Sequence, residues 1–293
     1  MSSITDSSSI KALISLLEDP NELIYSQVNA NIIALGDEAI PHLHDALEES
    51  KNDLEKERIV KVLDKLKLSS LEEGLNIWAN NHKDDLLLGL MTIAKYGNPK
   101  LDEEKINNLI DEIVNEIKPK ITYDAPEELI HLLNQTILYD YGFNGNIRNY
   151  SSVNNSYIDR VFHDKVSNPI GLSAIYLIVA EILDIPLIGI NSPGHFVLGY
   201  VDKDFSQEQL ENGSVIENVE FYIDPFNNGK IIQTNNFDHW LKEIPFDLEE
   251  KHYLPATNVD IIRRVMNNLI HSIFTSGKKE TAKKLLQIND NIY

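Results

Sequence analysis

The chain has 293 residues, 42% of them hydrophobic and 25% charged, and 46 acidic against 26 basic side chains give a formal net charge of −20. This is globular composition with material for about two domains, which excludes a chain that is disordered throughout. The charge is spread evenly, 13 basic and 23 acidic residues in 1–120 and the same numbers in 121–293, so neither half offers the basic surface that nucleic acid or an anionic membrane requires.

Residues 1–120 read as helices, with apolar positions three and four apart and breaks at Pro20, Gly36, Pro41 and Gly97. The segment repeats itself. Ile10, Leu13 and Leu17 recur 30 residues later as Ile40, Leu43 and Leu47, and Leu23, Val28, Ile32 and Leu35 recur 31 residues later as Leu54, Ile59, Leu63 and Leu66. A helical hairpin used twice at this period is the pattern of an α-solenoid, and an ordinary helical bundle is the alternative. The stretch Ala39-Ile40-Pro41-His42-Leu43, followed by Leu47, resembles HEAT repeats.

Further helices are predicted over Leu71–Asn80, Asp85–Tyr96, Glu103–Ile117 and Pro126–Tyr139, with starts marked at Asp102-x-x-Lys105 and Asp124-x-x-Glu127. The chain then turns polar at Tyr141-Gly142-Phe143-Asn144-Gly145-Asn146 and again at Asn154-Asn155-Ser156, marking a domain rim or a site loop. Residues 173–183 form an apolar helix that should be buried on most sides. After Pro186 the segments 187–191, 196–201, 215–224 and 230–233 read as strands joined mostly by short turns, hence an antiparallel sheet with a helix against it. Residues 202–214 are polar and acidic and read as a solvated hairpin tip. Thr257-x-x-Asp260 opens an amphipathic helix that continues to Phe274; Gly277 breaks it, and Lys279–Ile288 forms the second arm of a helical hairpin.

Ser173, His195 and Asp224 occur in the order hydroxyl, imidazole, carboxylate: the first on the buried helix, the second opening a strand, the third closing the next strand. A base oriented by an acid and facing a nucleophile is the arrangement of acyl-transfer chemistry. Read without chemistry, Ser173 caps the helix, His195 is a turn histidine bonded to Asp224, and Asp224 ends a strand. Asn155 and Asn168 are the candidates for oxyanion or pocket donors.

The segments Asn155-Ser156-Tyr157-Ile158, Asn168-Pro169-Ile170-Gly171-Leu172-Ser173, Leu183-Asp184-Ile185-Pro186, Asn191-Ser192-Pro193-Gly194-His195-Phe196-Val197-Leu198 and Tyr222-Ile223-Asp224-Pro225-Phe226 resemble the SirB-type bacterial branch of the transglutaminase-like superfamily, over about residues 85–275. The resemblance implies an α+β fold: an all-helical HEAT-like region at 1–82, a papain/transglutaminase-like core with leading helices at 83–256, and a C-terminal helical hairpin at 257–293. It also implies that Ser173 stands where that fold carries a nucleophilic Cys. A thiol needs only a modest pKa shift to become a thiolate at a helix terminus beside an imidazolium, whereas a hydroxyl needs concerted proton removal by His195 and a tightly placed oxyanion hole.

Two functions follow. The first is a noncatalytic interaction or regulatory module with a degenerate triad, binding a protein partner through its helical N-terminal region. The second is a serine-dependent amidase, protease or acyltransferase using Ser173, His195 and Asp224. The absence of cysteine excludes disulfides, thiolate metal sites and iron–sulfur clusters. No nucleotide-binding loop, His-Glu-x-x-His helix or Gly-x-Ser-x-Gly elbow occurs, so no cofactor and no metal are expected. The N-terminus lacks a secretory pattern and the apolar runs fall short of a membrane span. The expectation is therefore a cytoplasmic chain, complete as it stands, with no nucleic-acid or membrane partner.

Overall fold

A computed structural model describes residues 7–122, 125–192, 194–202, 218–237 and 254–292. The chain divides into two compact units, Met1–Ile77 with Lys95–Leu101, and Trp78–Ala94 with Asp102–Tyr293.

The first unit is helical: α1 (Ser7–Ser15), α2 (Glu22–Ala34), α3 (Ala39–Glu49) and the part of α4 (Asp53–Asn81) that lies before Trp78. Its core draws on all four, with Ile10, Ile14, Leu17, Val28, Ile32, Ile40, Leu43, Ile59 and Leu63 buried together. Four of the seven repeated pairs share their environments, whereas Leu13, Leu47 and Leu35 are only partly buried where Leu43, Leu17 and Leu66 are buried. Ile10 and Ile40 are both buried, as are Val28 and Ile59, and Ile32 and Leu63, while the equivalent Leu23 and Leu54 both face solvent.

Two local expectations are corrected here. Pro41 does not break a helix; it is the third residue of α3, where its missing N–H is one the helix would leave unpaired anyway. Nor does a separate helix begin at Leu71, because α4 runs unbroken from Asp53 to Asn81. Within it the Ser70 hydroxyl donates to the Leu66 carbonyl one turn back.

Arg58 stitches this unit together. It is 4% exposed, donates to the carbonyls of Leu17 and Asp19 and to Glu22 Oε1, and lies over the Tyr25 ring. Replacing Arg58 by alanine strands two carbonyls at the end of the 3₁₀ turn Leu16–Glu18, and is expected to cost about 2 kcal/mol in denaturant unfolding. Glu22→Gln should change stability by less than about 0.5 kcal/mol, since the carboxylate side of the pair is 80% exposed. Equal effects of the two changes would refute this division of labour.

The second unit is mixed. It contains residues 86–94 of α5 (Leu86–Gly97), then α6 (Glu103–Ile117), α7 (Pro126–Asn134) continued by a π turn Gln135–Asp140, α8 (Ile158–Asp164), α9 (Pro169–Ile182), α10 (Asn258–Thr275) and α11 (Lys279–Asp290). Asp102 caps α6 by accepting from Lys105 N, as its spacing predicts, whereas the start predicted at Asp124 lies outside the described residues. A short parallel pair joins β1 (Asn144–Gly145) to β2 (Val166–Ser167).

The main sheet has the order β6-β5-β4-β3-β7, from β3 (Leu187–Ile190), β4 (Val197–Val201), β5 (Val219–Asp224), β6 (Lys230–Gln233) and β7 (Pro255–Ala256), antiparallel at every junction. This is the α+β arrangement of a buried helix and an antiparallel sheet: α9 packs on β3 and β4, and residues 169–176 are all buried. Ile190, Val197, Val201, Val219, Tyr222, Ile232 and Phe237 form a second buried cluster around the sheet, with the Tyr222 and Phe237 rings stacked 3.5 Å apart. Of the predicted acidic hairpin tip, residues 203–214 lie outside the described residues. The terminal hairpin forms as read. Thr257 and Asp260 make a reciprocal capping box, and Gly277 takes φ +91° between α10 and α11. Among the described residues no helix is long and apolar enough to cross a membrane.

Candidate functional site

His195 lies in the connection between β3 and β4, where its backbone N–H bonds to the Ser192 carbonyl and Gly194 adopts φ +72°. That left-handed glycine lets the chain reverse tightly enough to bring the imidazole over the end of the neighbouring strand. Asp224 is the last residue of β5 and is 1% exposed. Register then brings the two together, since β4 and β5 pair directly and His195 Nε2 stands 2.9 Å from Asp224 Oδ2.

The carboxylate is held from both sides. Asp224 Oδ1 accepts from Asn227 N at 3.2 Å, and Oδ2 also accepts from Asn227 Nδ2 at 2.6 Å, so Asp224 also caps the 3₁₀ turn Pro225–Asn227. Because an ionised carboxylate only accepts, the His195 contact requires the proton on Nε2, which makes Nδ1 the basic nitrogen of the neutral ring.

Ser173 sits differently. It is the fifth residue of α9 counted from Pro169, is 0% exposed, and its Oγ has no hydrogen-bond partner. The hydroxyl is therefore bonded to neither His195 nor Asp224. It does not cap α9 either, because that place belongs to Asn168, whose Oδ1 accepts from Gly171 N at 3.0 Å. The structure thus joins His195 to Asp224 and leaves Ser173 outside that hydrogen bond.

Asn155, 3% exposed, organises the polar loop before α8. Its Nδ2 donates to the carbonyls of Asn149 and Tyr150 at 3.0 and 2.8 Å, and its Oδ1 accepts from Asn146 Nδ2 at 2.8 Å. Both amide protons are engaged by the backbone, so the role this geometry gives Asn155 is to position Tyr150. The Tyr150 hydroxyl donates in turn to the Gly194 carbonyl at 3.3 Å, and its ring meets Phe226 edge-on at 5.8 Å. Phe226 contacts the His195 ring edge-on at 6.0 Å. Burial pushes the Tyr150 phenol above its ordinary value, while the Arg264 guanidinium pulls it down; burial also pulls Arg264 below the usual arginine range.

Tyr150, Asn227 and Arg264 were not singled out from the sequence. Asn227 follows directly on the Tyr222–Phe226 segment, so that segment carried a usable signal for it. Tyr150 reaches the site only through tertiary packing of its loop, and Arg264 lies on α10, which packs against the Val153–Ser156 turn and α9. Among the described residues, no group of three or more His, Asp or Glu side chains could hold a metal ion.

A buried helix on an antiparallel sheet, with an imidazole hydrogen-bonded to a carboxylate at the ends of neighbouring strands, defines an α+β protein with a His–Asp pair at one end of the sheet. The chain belongs to the Transglutaminase-like superfamily, whose profile matches residues 104–267. It is 28% identical over 207 residues to the UPF0162 protein of Xylella fastidiosa (strain 9a5c), covering 67% of this chain and 68% of that protein. It is 24% identical over 221 residues to the UPF0162 protein YchA of Escherichia coli (strain K12), covering 71% and 75%. Similarity extends to the F-box only protein 21 of Mus musculus, 25% over 229 residues, covering 70% of this chain but only 34% of that longer protein. No solved structure matches the chain.

Proposed function

We propose that this chain is a noncatalytic member of the SirB-type bacterial branch of the superfamily, working in the cytoplasm as an interaction or regulatory module. In this reading residues 1–82 form a HEAT-like domain that binds a protein partner, residues 83–256 retain the pocket of an ancestral enzyme, and residues 257–293 form the C-terminal hairpin. The observation that carries it is the state of Ser173, whose buried hydroxyl makes no hydrogen bond and so presents no proton to the imidazole. General-base activation of a hydroxyl needs hydrogen-bond reach between the two groups. The doubled hairpin of the first unit, with matching buried positions, supports a solenoid that offers an extended protein-binding face.

The His195–Asp224 pair favours the second reading, a serine-dependent amidase, protease or acyltransferase, since it would hold the base in the required tautomer. That hydrogen bond serves equally well to close a strand pair, so it does not decide between the two. Ser173 does.

Incubating the full chain with a fluorophosphonate should leave Ser173 unmodified by mass spectrometry. Stoichiometric labelling of Ser173 that His195→Ala abolishes would overturn the noncatalytic reading. A companion test is Ser173→Cys. Its thiol is expected to react with iodoacetamide at least about tenfold more slowly than in the denatured protein, because burial disfavours the thiolate and blocks access. Alkylation faster than an ordinary exposed thiol would instead reveal an architecture still able to activate a nucleophile.

A further inference from the structure

We propose that the loop at residues 146–152 is an interaction surface for a short peptide segment carrying an apolar side chain beside a single carboxylate. Ile147 is 78% exposed and Tyr150 47%, and Arg148 between them is exposed as well. One exposed isoleucine is ordinary on a protein surface. What sets this loop apart is the buried polar framework that holds it. Asn155, 3% exposed, donates both amide protons to the loop carbonyls of Asn149 and Tyr150, and its Oδ1 accepts from Asn146 Nδ2. Asn146 Oδ1 in turn accepts from Asn149 N at 3.0 Å, Asn146 N donates to the Ser167 carbonyl at 2.7 Å, and the Tyr150 ring is set edge-on against Phe226.

The fold thus fixes in place three side chains that it does not bury. A loop already ordered loses little conformational freedom when a partner arrives, so more of the contact energy appears as affinity. Tyrosine and arginine are also the residues that most often anchor protein interfaces. Three side chains within four positions match a segment of a few residues, whereas a second folded domain would engage about 20–30 residues a side. Charge identifies the segment. Arg148 is the one charged side chain between Asp140 and Asp159, and among the described residues it makes no ion pair. Its guanidinium matches one carboxylate in bidentate geometry. The net charge of −20 repels a run of acids, and a single cation gives a nucleic acid no track to follow. The occupant is therefore a peptide with one Asp or Glu next to an aliphatic or aromatic residue that packs on Ile147 and Tyr150. This surface is additional to the partner site proposed for residues 1–82 and does not depend on the state of Ser173.

The test selects a displayed library of random heptapeptides on the immobilised full chain, then measures the affinity of the selected peptides, made synthetically, by fluorescence anisotropy. Selected peptides should place an apolar residue within two positions of a single Asp or Glu. Ile147→Ser and Arg148→Glu alter exposed side chains, so both variants should give the circular dichroism of the parent. Each should weaken binding at least about tenfold. Exchanging the peptide's acidic residue for Lys should restore affinity for Arg148→Glu while losing it for the parent. Bound peptide should also shift the Tyr150 ring signals in NMR. The proposal is overturned if no selected peptide prefers the parent over the Ile147→Ser/Arg148→Glu double variant, if the peptides lack a carboxylate, if either single substitution leaves binding unchanged, or if Tyr150 stays silent. A concentration-dependent dimer in sedimentation that Ile147→Ser abolishes overturns the peptide assignment, because the surface then takes a second copy of the chain. Fluorophosphonate labelling of Ser173 overturns the noncatalytic reading and leaves this surface standing, so the two failures are distinguishable.

Discussion

Replacing Asp224 by alanine is expected to destabilise the protein by about 2–3 kcal/mol and to release the His195 ring from its fixed tautomer. The carboxylate is 1% exposed and accepts from His195 Nε2, Asn227 N and Asn227 Nδ2. Removing it strands the partly buried His195 Nε2–H, unties the turn at Pro225–Asn227, where the exposed Asn227 donors can turn to water, and leaves a small cavity at the end of β5. A buried donor left without an acceptor costs about 1–3 kcal/mol, so the upper part of the range requires that water fails to reach the imidazole. Asp224→Asn keeps one acceptor oxygen and the side-chain volume, and should cost about half as much. Denaturant unfolding measures the first effect, and the ¹⁵N shifts of the imidazole nitrogens measure the second. A loss below about 1 kcal/mol, or an unchanged Nε2–H tautomer in Asp224→Ala, would show that something else holds the ring.

Gly229→Ala is expected to cost about 4 kcal/mol, although it adds only one methyl group, at a buried position between β5 and β6. Two terms contribute. Gly229 has φ +68°, where a Cβ costs about 1–2 kcal/mol. A Cβ built there would fall 2.2 Å from Asn134 Oδ1, inside any real contact. Asn134 cannot step aside cheaply, because its Nδ2 donates to the Gly229 carbonyl and its Oδ1 accepts from the buried Tyr176 hydroxyl, each at 2.8 Å. The hairpin holding Asp224 and Asn227 is thus fastened to α7 and α9 through one amide. A double-mutant cycle isolates the clash: with Asn134→Ala already in place, Gly229→Ala should cost only the backbone term, about 1–2 kcal/mol. Additive effects would place the cost in the backbone alone.

Much of the framework was legible in the residues. The strands β3 to β6 fall close to where β-branched and aromatic runs bounded by Gly, Pro and Asn place them, and the capping box at Thr257 and Asp260 forms as its spacing predicts. These succeed because a strand's period of two and a helix cap are local: the residues that decide them lie within a few positions of one another. Local reading fails where a competing contact is available nearby. Ser173 looks like a cap until Asn168 takes that place.

The order of Ser173, His195 and Asp224 in the sequence determined, by itself, which residues to compare, and the absence of cysteine determined that no thiol chemistry was at stake. Whether three residues in the right order meet is a different kind of question. Tertiary structure decided that His195 and Asp224 bond across paired strands, and that the Ser173 hydroxyl is buried and bonded to neither. It also drew Tyr150 from its loop to the Gly194 carbonyl beside His195. Hydrogen bonding is satisfied or lost over a few tenths of an ångström, and a side chain's position at that scale depends on the packing of every element around it. Periodicity and motif spacing fix which face a residue occupies, and leave the final ångström to the fold.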